Sequence, residues 1–210
     1  MRASASLERV IDEQDFPIRH GVFVAVAGPS GAGKDSVMDY ARQRLGPQDS
    51  DVVFVRRTIT RVIDGAGEEH DCLTDGAFEA ARADGRFAVS WEANGLKYGL
   101  PLSVDTVVRD GHVAVANVSR SVIPALRERY GNVIAVIVTA ERGVLAERLS
   151  RRGRETREEV LERLERADAK ELAVRDATVI DNSGALEDAG ERFQNILRRA
   201  AAWSAVSDSV

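Results

Sequence analysis

Apolar residues along this chain come in short unbroken runs rather than in strict alternation. Positions 22–27, 52–55, 133–138 and 179–180 are such runs, and 112–118 is apolar apart from His112 and Asn117. A run with no polar face predicts a strand buried on both sides, as in a parallel sheet covered by helices above and below. Between these runs, apolar positions recur at helical spacing: 34 to about 45, 103 to about 109, 121–130, 141–151 and 186–203. Punctuation agrees with the periodicity. Gly46-Pro47 stops the first helix, Ser103 is placed to cap the second, and Thr156 with Glu159 forms a capping-box pair for a helix reaching about residue 172. Strands alternating with helices predict an α/β fold of three layers, a parallel sheet with helices on both faces.

Residues 56–100 have another texture. Gly65, Gly67, Gly76, Gly85, Gly95 and Gly99 cut the stretch into short pieces. A short helix fits 75–83 and a strand fits 87–91. Asn94-Gly95 is a hairpin-turn signal, because both residues tolerate positive φ. The stretch predicts a small subdomain inserted at about 56–100. Residues 1–20 are polar, with room for a short helix around 7–11, and predict an extension ahead of one domain spanning 21–210.

The candidate chemistry starts where the first strand ends. Gly28-Pro29-Ser30-Gly31-Ala32-Gly33-Lys34-Asp35-Ser36 follows an apolar run and opens a helix. That order of strand, glycine loop and helix is the context of a phosphate-binding P-loop. The glycines let the backbone curl so that several N–H groups face one anion, and Lys34 adds a mobile charge for the outer phosphates. One position departs from the usual pattern. The residue after the lysine, ordinarily a hydroxyl that holds Mg²⁺, is Asp35, with Ser36 next. No apolar run ends in an aspartate suited to the metal, so Asp35 is the candidate metal ligand.

Composition narrows the picture. A chain of 210 residues suits one α/β domain with an insertion. No apolar run approaches the ~20 residues that span a bilayer. Glu8, Asp12, Glu13 and Asp15 make the start unlike a secretory signal, and a cytoplasmic protein is expected. Cys72 is the one cysteine, which excludes an intramolecular disulfide and a cysteine-based zinc site. A formal charge of −5 argues against nucleic acid as partner. Arginines nevertheless cluster at 56, 57 and 61, and again at 148, 151, 152, 154, 157, 163 and 166. Positive patches within an acidic chain suit a phosphorylated small molecule.

Five stretches together carry a family resemblance: 28–36, Ile-Thr-Arg at 59–61, Ser-Trp-Glu-Ala-Asn-Gly-Leu-Lys-Tyr-Gly at 90–99, Asn-Val-Ser-Arg at 117–120, and Arg-Arg-Gly-Arg-Glu-Thr at 151–156 with Arg163-Leu164 beyond. In this order they resemble the guanylate-kinase-like P-loop kinases over nearly the whole chain after residue 20. Within them, the aspartate after the P-loop lysine resembles the ribose 1,5-bisphosphate kinases of bacterial phosphonate breakdown. The resemblance implies ATP and Mg²⁺, a substrate phosphate held by Arg61, Arg57 and Tyr98, and a lid at about 148–166 whose Arg152 and Arg163 meet the phosphates, with Arg148 a weaker candidate. It also implies an adenine contact near Asn182 and weaker substrate contacts at Glu68 and His70.

Departures from the guanylate kinase pattern bear on the acceptor. By approximate alignment the guanine-reading glutamate falls on Val89 or Ser90, the second acidic reader on Ser119, and a nearby aspartate on Asn117. Without carboxylates the N–H donors of guanine would stay unpaired, at roughly 1–3 kcal/mol for each buried group. Phosphate holders plus Asn117 and Ser119 suit a phosphorylated sugar better. The implied reaction is phosphorylation of ribose 1,5-bisphosphate to 5-phosphoribosyl 1-diphosphate by a monomer or homodimer. Two other readings share the core: a guanylate or other nucleoside monophosphate kinase, which predicts the missing acidic readers, and a non-catalytic binding module, which predicts a damaged P-loop. Gly33, Lys34, Arg152 and Arg163 are all in place.

Overall fold

The computed structural model describes residues 17–60, 70–151 and 174–207. In chain order the elements are β1 (Val22–Ala27), α1 (Lys34–Arg44) and β2 (Val52–Phe54), then β3 (Arg57–Ile59), β4 (His70–Cys72), α2 (Asp75–Ala83), β5 (Phe87–Ala93) and β6 (Leu96–Pro101), then α3 (Ser103–Arg109), β7 (Val113–Asn117), α4 (Ile123–Arg129), β8 (Val133–Thr139), α5 (Arg142–Ser150), β9 (Thr178–Asp181) and α6 (Leu186–Ser207).

All six residues of β1 are buried. Neighbouring side chains on a strand point to opposite faces, so this burial requires cover on both sides. Val22, Val24 and Val26 pack with Val37 and Met38 of α1 and with Phe193 and Leu197 of α6. Phe23, Ala25 and Ala27 pack on the other face with Val104 and Val108 of α3 and Leu126 of α4. Each large apolar side chain buried this way contributes about 1.5–3 kcal/mol. The main sheet has the order β2-β7-β1-β8-β9, and every pairing in it is parallel. The three-layer α/β fold expected from the pattern is the one observed.

The chain leaves this core after β2 and returns at α3. Between them β4-β3-β6-β5 form a second, mixed sheet, with β3 and β4 parallel and the other two pairs antiparallel. Asn94 (φ 52°) and Gly95 (φ 74°) make the turn of the β5–β6 hairpin. Helix α2 lies on this sheet through Phe78, whose ring stacks on Phe87 at 4.7 Å. Its first turn is capped by Thr74, whose hydroxyl accepts the Ala77 N–H.

Three expectations need correction. Ser103 is the first residue of α3 rather than its cap; Leu102 holds the cap position, with no side-chain hydrogen bond. The helix expected at 121–130 begins as a 3₁₀ turn over Arg120–Val122, because Pro124 lacks the N–H that would continue a regular ladder backward. Packing also begins before residue 21: Ile18 is buried and bridges to Tyr130. The short helix around 7–11 and the capped helix from Thr156 lie outside the described residues.

A buried polar network joins α3 to α4. The Asp105 carboxylate is 2% exposed. It accepts from Arg129 Nε at 2.8 Å, from Arg129 Nη2, and from the Tyr130 hydroxyl at 2.9 Å. Burial pushes the Tyr130 phenol well above its ordinary range, and the neighbouring Asp105 charge adds to the shift. Tyr130 therefore stays a donor.

Candidate active site

β1 ends at Ala27 and α1 begins at Lys34, so the intervening loop reverses the chain direction at the C-terminal edge of the sheet. That edge is where open parallel sheets hold ligands. Gly28, Gly31 and Gly33 have φ of 147°, 84° and 82°. At Gly28 a Cβ would fall 2.0 Å from the Val138 carbonyl oxygen, and at Gly33 a Cβ would fall 2.5 Å from Asn182 Nδ2. The loop thus needs glycine both for its backbone angles and for its close packing. No side chain caps α1. An uncapped helix N-terminus behind a positive-φ loop gathers backbone N–H groups and the positive end of the helix dipole, which suits an anion.

Side chains from several elements converge on this loop. Lys34 folds back over it, its Nζ donating to the Gly28 and Pro29 carbonyls at 3.0 Å each. Asp35 and Ser36 are exposed on the first turn of α1. Asn117, the last residue of β7 and the register partner of Val26, donates Nδ2–H to Asp35 Oδ1 at 2.8 Å. Asn182, just past β9, donates Nδ2–H to the Ala32 carbonyl at 2.7 Å. Arg148 of α5 donates through Nη2 to the Asn182 carbonyl at 2.9 Å. Its Nη1 is buried without a partner among the described residues, 3.8 Å from where a Gly33 Cβ would sit. A buried guanidinium N–H beside a glycine loop fits a phosphate oxygen.

The metal expectation can be tested on the same residues. Asp35 offers a hard carboxylate oxygen at the mouth of the loop, one that Asn117 orients. Among the described residues no group of three or more His, Cys, Asp or Glu could hold a metal by itself. The set fits Mg²⁺, which keeps several waters and is bound through one or two carboxylates plus substrate phosphates.

The acceptor candidates lie mainly on the inserted sheet. Tyr98 pairs with Ile59 on one side and Trp91 on the other. Its ring stacks on Trp91 at 5.4 Å, and the Arg57 guanidinium lies 5.7 Å from its centroid. Trp91 is also partly buried against the core. The backbone of His70 pairs with Arg57. Ser119 follows β7, its hydroxyl 2.9 Å from that of Ser121. Arg61, Glu68, Arg152 and Arg163 lie outside the described residues.

The sequence singled out Asp35, Asn117 and Asn182 separately, not as partners. The Asp35–Asn117 bond spans 82 positions and the Ala32–Asn182 bond spans 150. No local pattern marks contacts across such distances; they exist because the ends of β1, β7 and β9 share one sheet edge.

A parallel sheet with this strand order, a glycine loop after its central strand and a lysine at the start of the next helix define a P-loop nucleotide-binding protein. No family model matches the chain. Among solved structures it is similar to a guanylate kinase from Anaplasma phagocytophilum, with TM-score 0.60 and 18% identity over 85% of each chain, a likeness of fold. Among known proteins it is 64% identical over 207 residues to ribose 1,5-bisphosphate phosphokinase PhnN of Chelativorans sp. (strain BNC1), covering 99% of both chains. It is 43% identical over 181 residues to the protein of the same name from Agrobacterium fabrum, covering 86% of this chain and 98% of that one. The chain belongs to the ribose 1,5-bisphosphate phosphokinase family and is a kinase. No helix among the described residues is long and apolar enough to cross a membrane.

Proposed function

We propose that the chain transfers the γ-phosphoryl group of ATP to the 1-phosphate of ribose 1,5-bisphosphate, giving 5-phosphoribosyl 1-diphosphate and ADP. The observation that carries this reading is the 64% identity to a protein of that name across 99% of both chains. An acceptor that is itself a phosphate suits a machinery built from positioning and positive charge, since phosphoryl transfer asks little covalent chemistry of the protein.

The residues divide into two sides. On the nucleotide side, the backbone from Gly28 to Ser36 cradles the phosphates and Lys34 neutralises the outer ones. Lys34 is held by two carbonyls at 3.0 Å, so it can exchange them for phosphate oxygens without leaving the loop. Asp35 is the residue that would hold Mg²⁺, and Asn117 fixes the carboxylate that does so. The metal, when bound, neutralises phosphate charge. On the acceptor side, Arg57, Arg61 and Tyr98 hold a phosphate, with Glu68, His70, Asn117 and Ser119 as polar neighbours of the sugar. The cation resting against the Tyr98 ring supports that pairing. Arg152 and Arg163 act as lid cations. A phosphorylated-sugar kinase of this kind has its place in phosphonate catabolism and in a cytoplasmic compartment.

The test is a panel of acceptors with ATP and Mg²⁺ that includes ribose 1,5-bisphosphate and GMP. Formation of 5-phosphoribosyl 1-diphosphate with little turnover of GMP is expected. Comparable kcat/KM for the two would overturn the assignment.

A further inference from the structure

Asn182 is 3% exposed, and nearly all its polar atoms are engaged. Its backbone N–H donates to the Thr139 carbonyl at 2.8 Å, and its own carbonyl accepts from Arg148. The next residue is anchored as well. Ser183 donates its N–H to Asp181 Oδ1 at 2.9 Å, and its hydroxyl accepts the Glu141 N–H at 2.7 Å. The Ser183 hydroxyl, then its N–H, hold the Asp181 carboxyl below the usual carboxylate range. The backbone that carries the Asn182 side chain is therefore tied to β8, to the start of α5 and to Arg148 near its end. The carboxamide itself grips the P-loop by one bond, Nδ2–H to the Ala32 carbonyl. Its Oδ1 stays buried without a partner among the described residues, a cost that the grip on the loop must outweigh.

The consequence lies in the peptide that Asn182 holds. The Ala32 C=O and the Gly33 N–H belong to one planar trans peptide, so they point in opposite directions. A carbonyl turned inward onto Asn182 sends the Gly33 N–H outward into the loop. Gly33, with no side chain and φ of 82°, would otherwise let this peptide rotate. A peptide turned the other way would put a carbonyl oxygen, a partial negative charge, where the loop receives an anion. We infer that Asn182 is a positioning residue: it orients the Ala32–Gly33 peptide so that the Gly33 N–H faces the phosphates, and it acts on the nucleotide through the loop rather than by reading the base. The inference rests on the nucleotide-binding half of the proposed function and not on the identity of the acceptor.

The measurement is calorimetric titration of the protein, without acceptor, by ATP, GTP and inorganic tripolyphosphate in the presence of Mg²⁺. Wild type is compared with Asn182→Ala and Asn182→Asp. The loss of one buried hydrogen bond should weaken all three ligands by a similar factor, about tenfold for Asn182→Ala. Asn182→Asp keeps the shape but sets a carboxylate against the Ala32 carbonyl, so its loss should be larger. It also carries the test if the alanine variant does not fold. A base contact would weaken ATP while leaving tripolyphosphate unchanged, and that result overturns the inference. Unchanged affinity for all three in a folded variant overturns it too. Since no acceptor is present, a wild type that binds ATP but does not phosphorylate ribose 1,5-bisphosphate would sink the acceptor assignment and leave this result standing.

Discussion

At the scale of single residues, the site turns on two neighbours of opposite charge. Lys34 donates to two backbone carbonyls and is not one of the core residues. Its charge matters when phosphates arrive, so Lys34→Ala should abolish turnover, by a factor of about 10³ or more, while the thermal unfolding midpoint stays close to wild type. Near-wild-type turnover would contradict the kinase mechanism. Asp35 brings a full negative charge next to that lysine. A carboxylate that faced phosphate oxygens would repel them; one that faces Mg²⁺ binds it more tightly. Asp35→Asn should therefore raise the Mg²⁺ concentration needed for half-maximal turnover more than it raises KM for ATP. Asp35→Ser, which restores a hydroxyl ligand, should be milder. A Mg²⁺ titration of turnover at fixed MgATP reads both variants, and an unchanged midpoint in Asp35→Asn would reduce Asp35 to a helix-end charge.

At the scale of elements, the inserted sheet is joined to the core through β6 and the helix that follows it. Helix α3 starts two residues after β6 ends, and Asp105 in its first turn is bound by Arg129 and Tyr130 at the end of α4. Arg109 adds a weaker ion contact at 3.8 Å. Asp105 is buried and Arg129 half-buried, and removing the carboxylate takes from Arg129 and Tyr130 the acceptor they share. Asp105→Ala should therefore destabilise the protein by about 3–5 kcal/mol, the range for breaking a buried ion pair. Urea unfolding measures it, and a loss under about 1 kcal/mol, the range of an exposed pair, would show that water reaches Arg129 in the variant. The sign for Tyr130 follows from its raised folded-state value. The stabilisation it reports is fully present below the ordinary phenol value of 10.0 and is lost as pH rises through and beyond it.

At the scale of the whole molecule, the proposed function needs two sides to meet: the nucleotide loop at the edge of the parallel sheet and an acceptor surface proposed on the inserted one. In the proposed acceptor site the positions aligned with guanine-reading carboxylates are Val89 or Ser90 and Ser119; Val89 packs against the core and the Ser119 hydroxyl is bonded to that of Ser121. Two unpaired guanine donors at about 1–3 kcal/mol each correspond to a loss on the order of 10²-fold or more. Initial-rate kinetics should accordingly give a kcat/KM for GMP at least about 100-fold below that for ribose 1,5-bisphosphate, and a smaller gap would mean that groups elsewhere in the cleft satisfy the base.

The strands of the main sheet, the glycine loop and the inserted hairpin were legible in the chain because each is written within a few consecutive residues, whereas β3 and β4, three residues each, carry no such signal. Burial on both faces makes β1 apolar at every position, positive φ makes Gly28 and Gly33 glycine, and Asn94-Gly95 is its own turn. Lys34 and Asp35 were legible for the same reason, as members of that loop. The pairing of Asp35 with Asn117, the grip of Asn182 on Ala32, the approach of Arg57 to the Tyr98 ring, and the burial of Asp105 were not. Each joins residues far apart in the chain, and the first two depend on strand order. Only a sheet that sets β7 and β8 on either side of β1, with β9 next to β8, brings residues 82 and 150 positions apart to one edge, and no local preference of either residue encodes its partner.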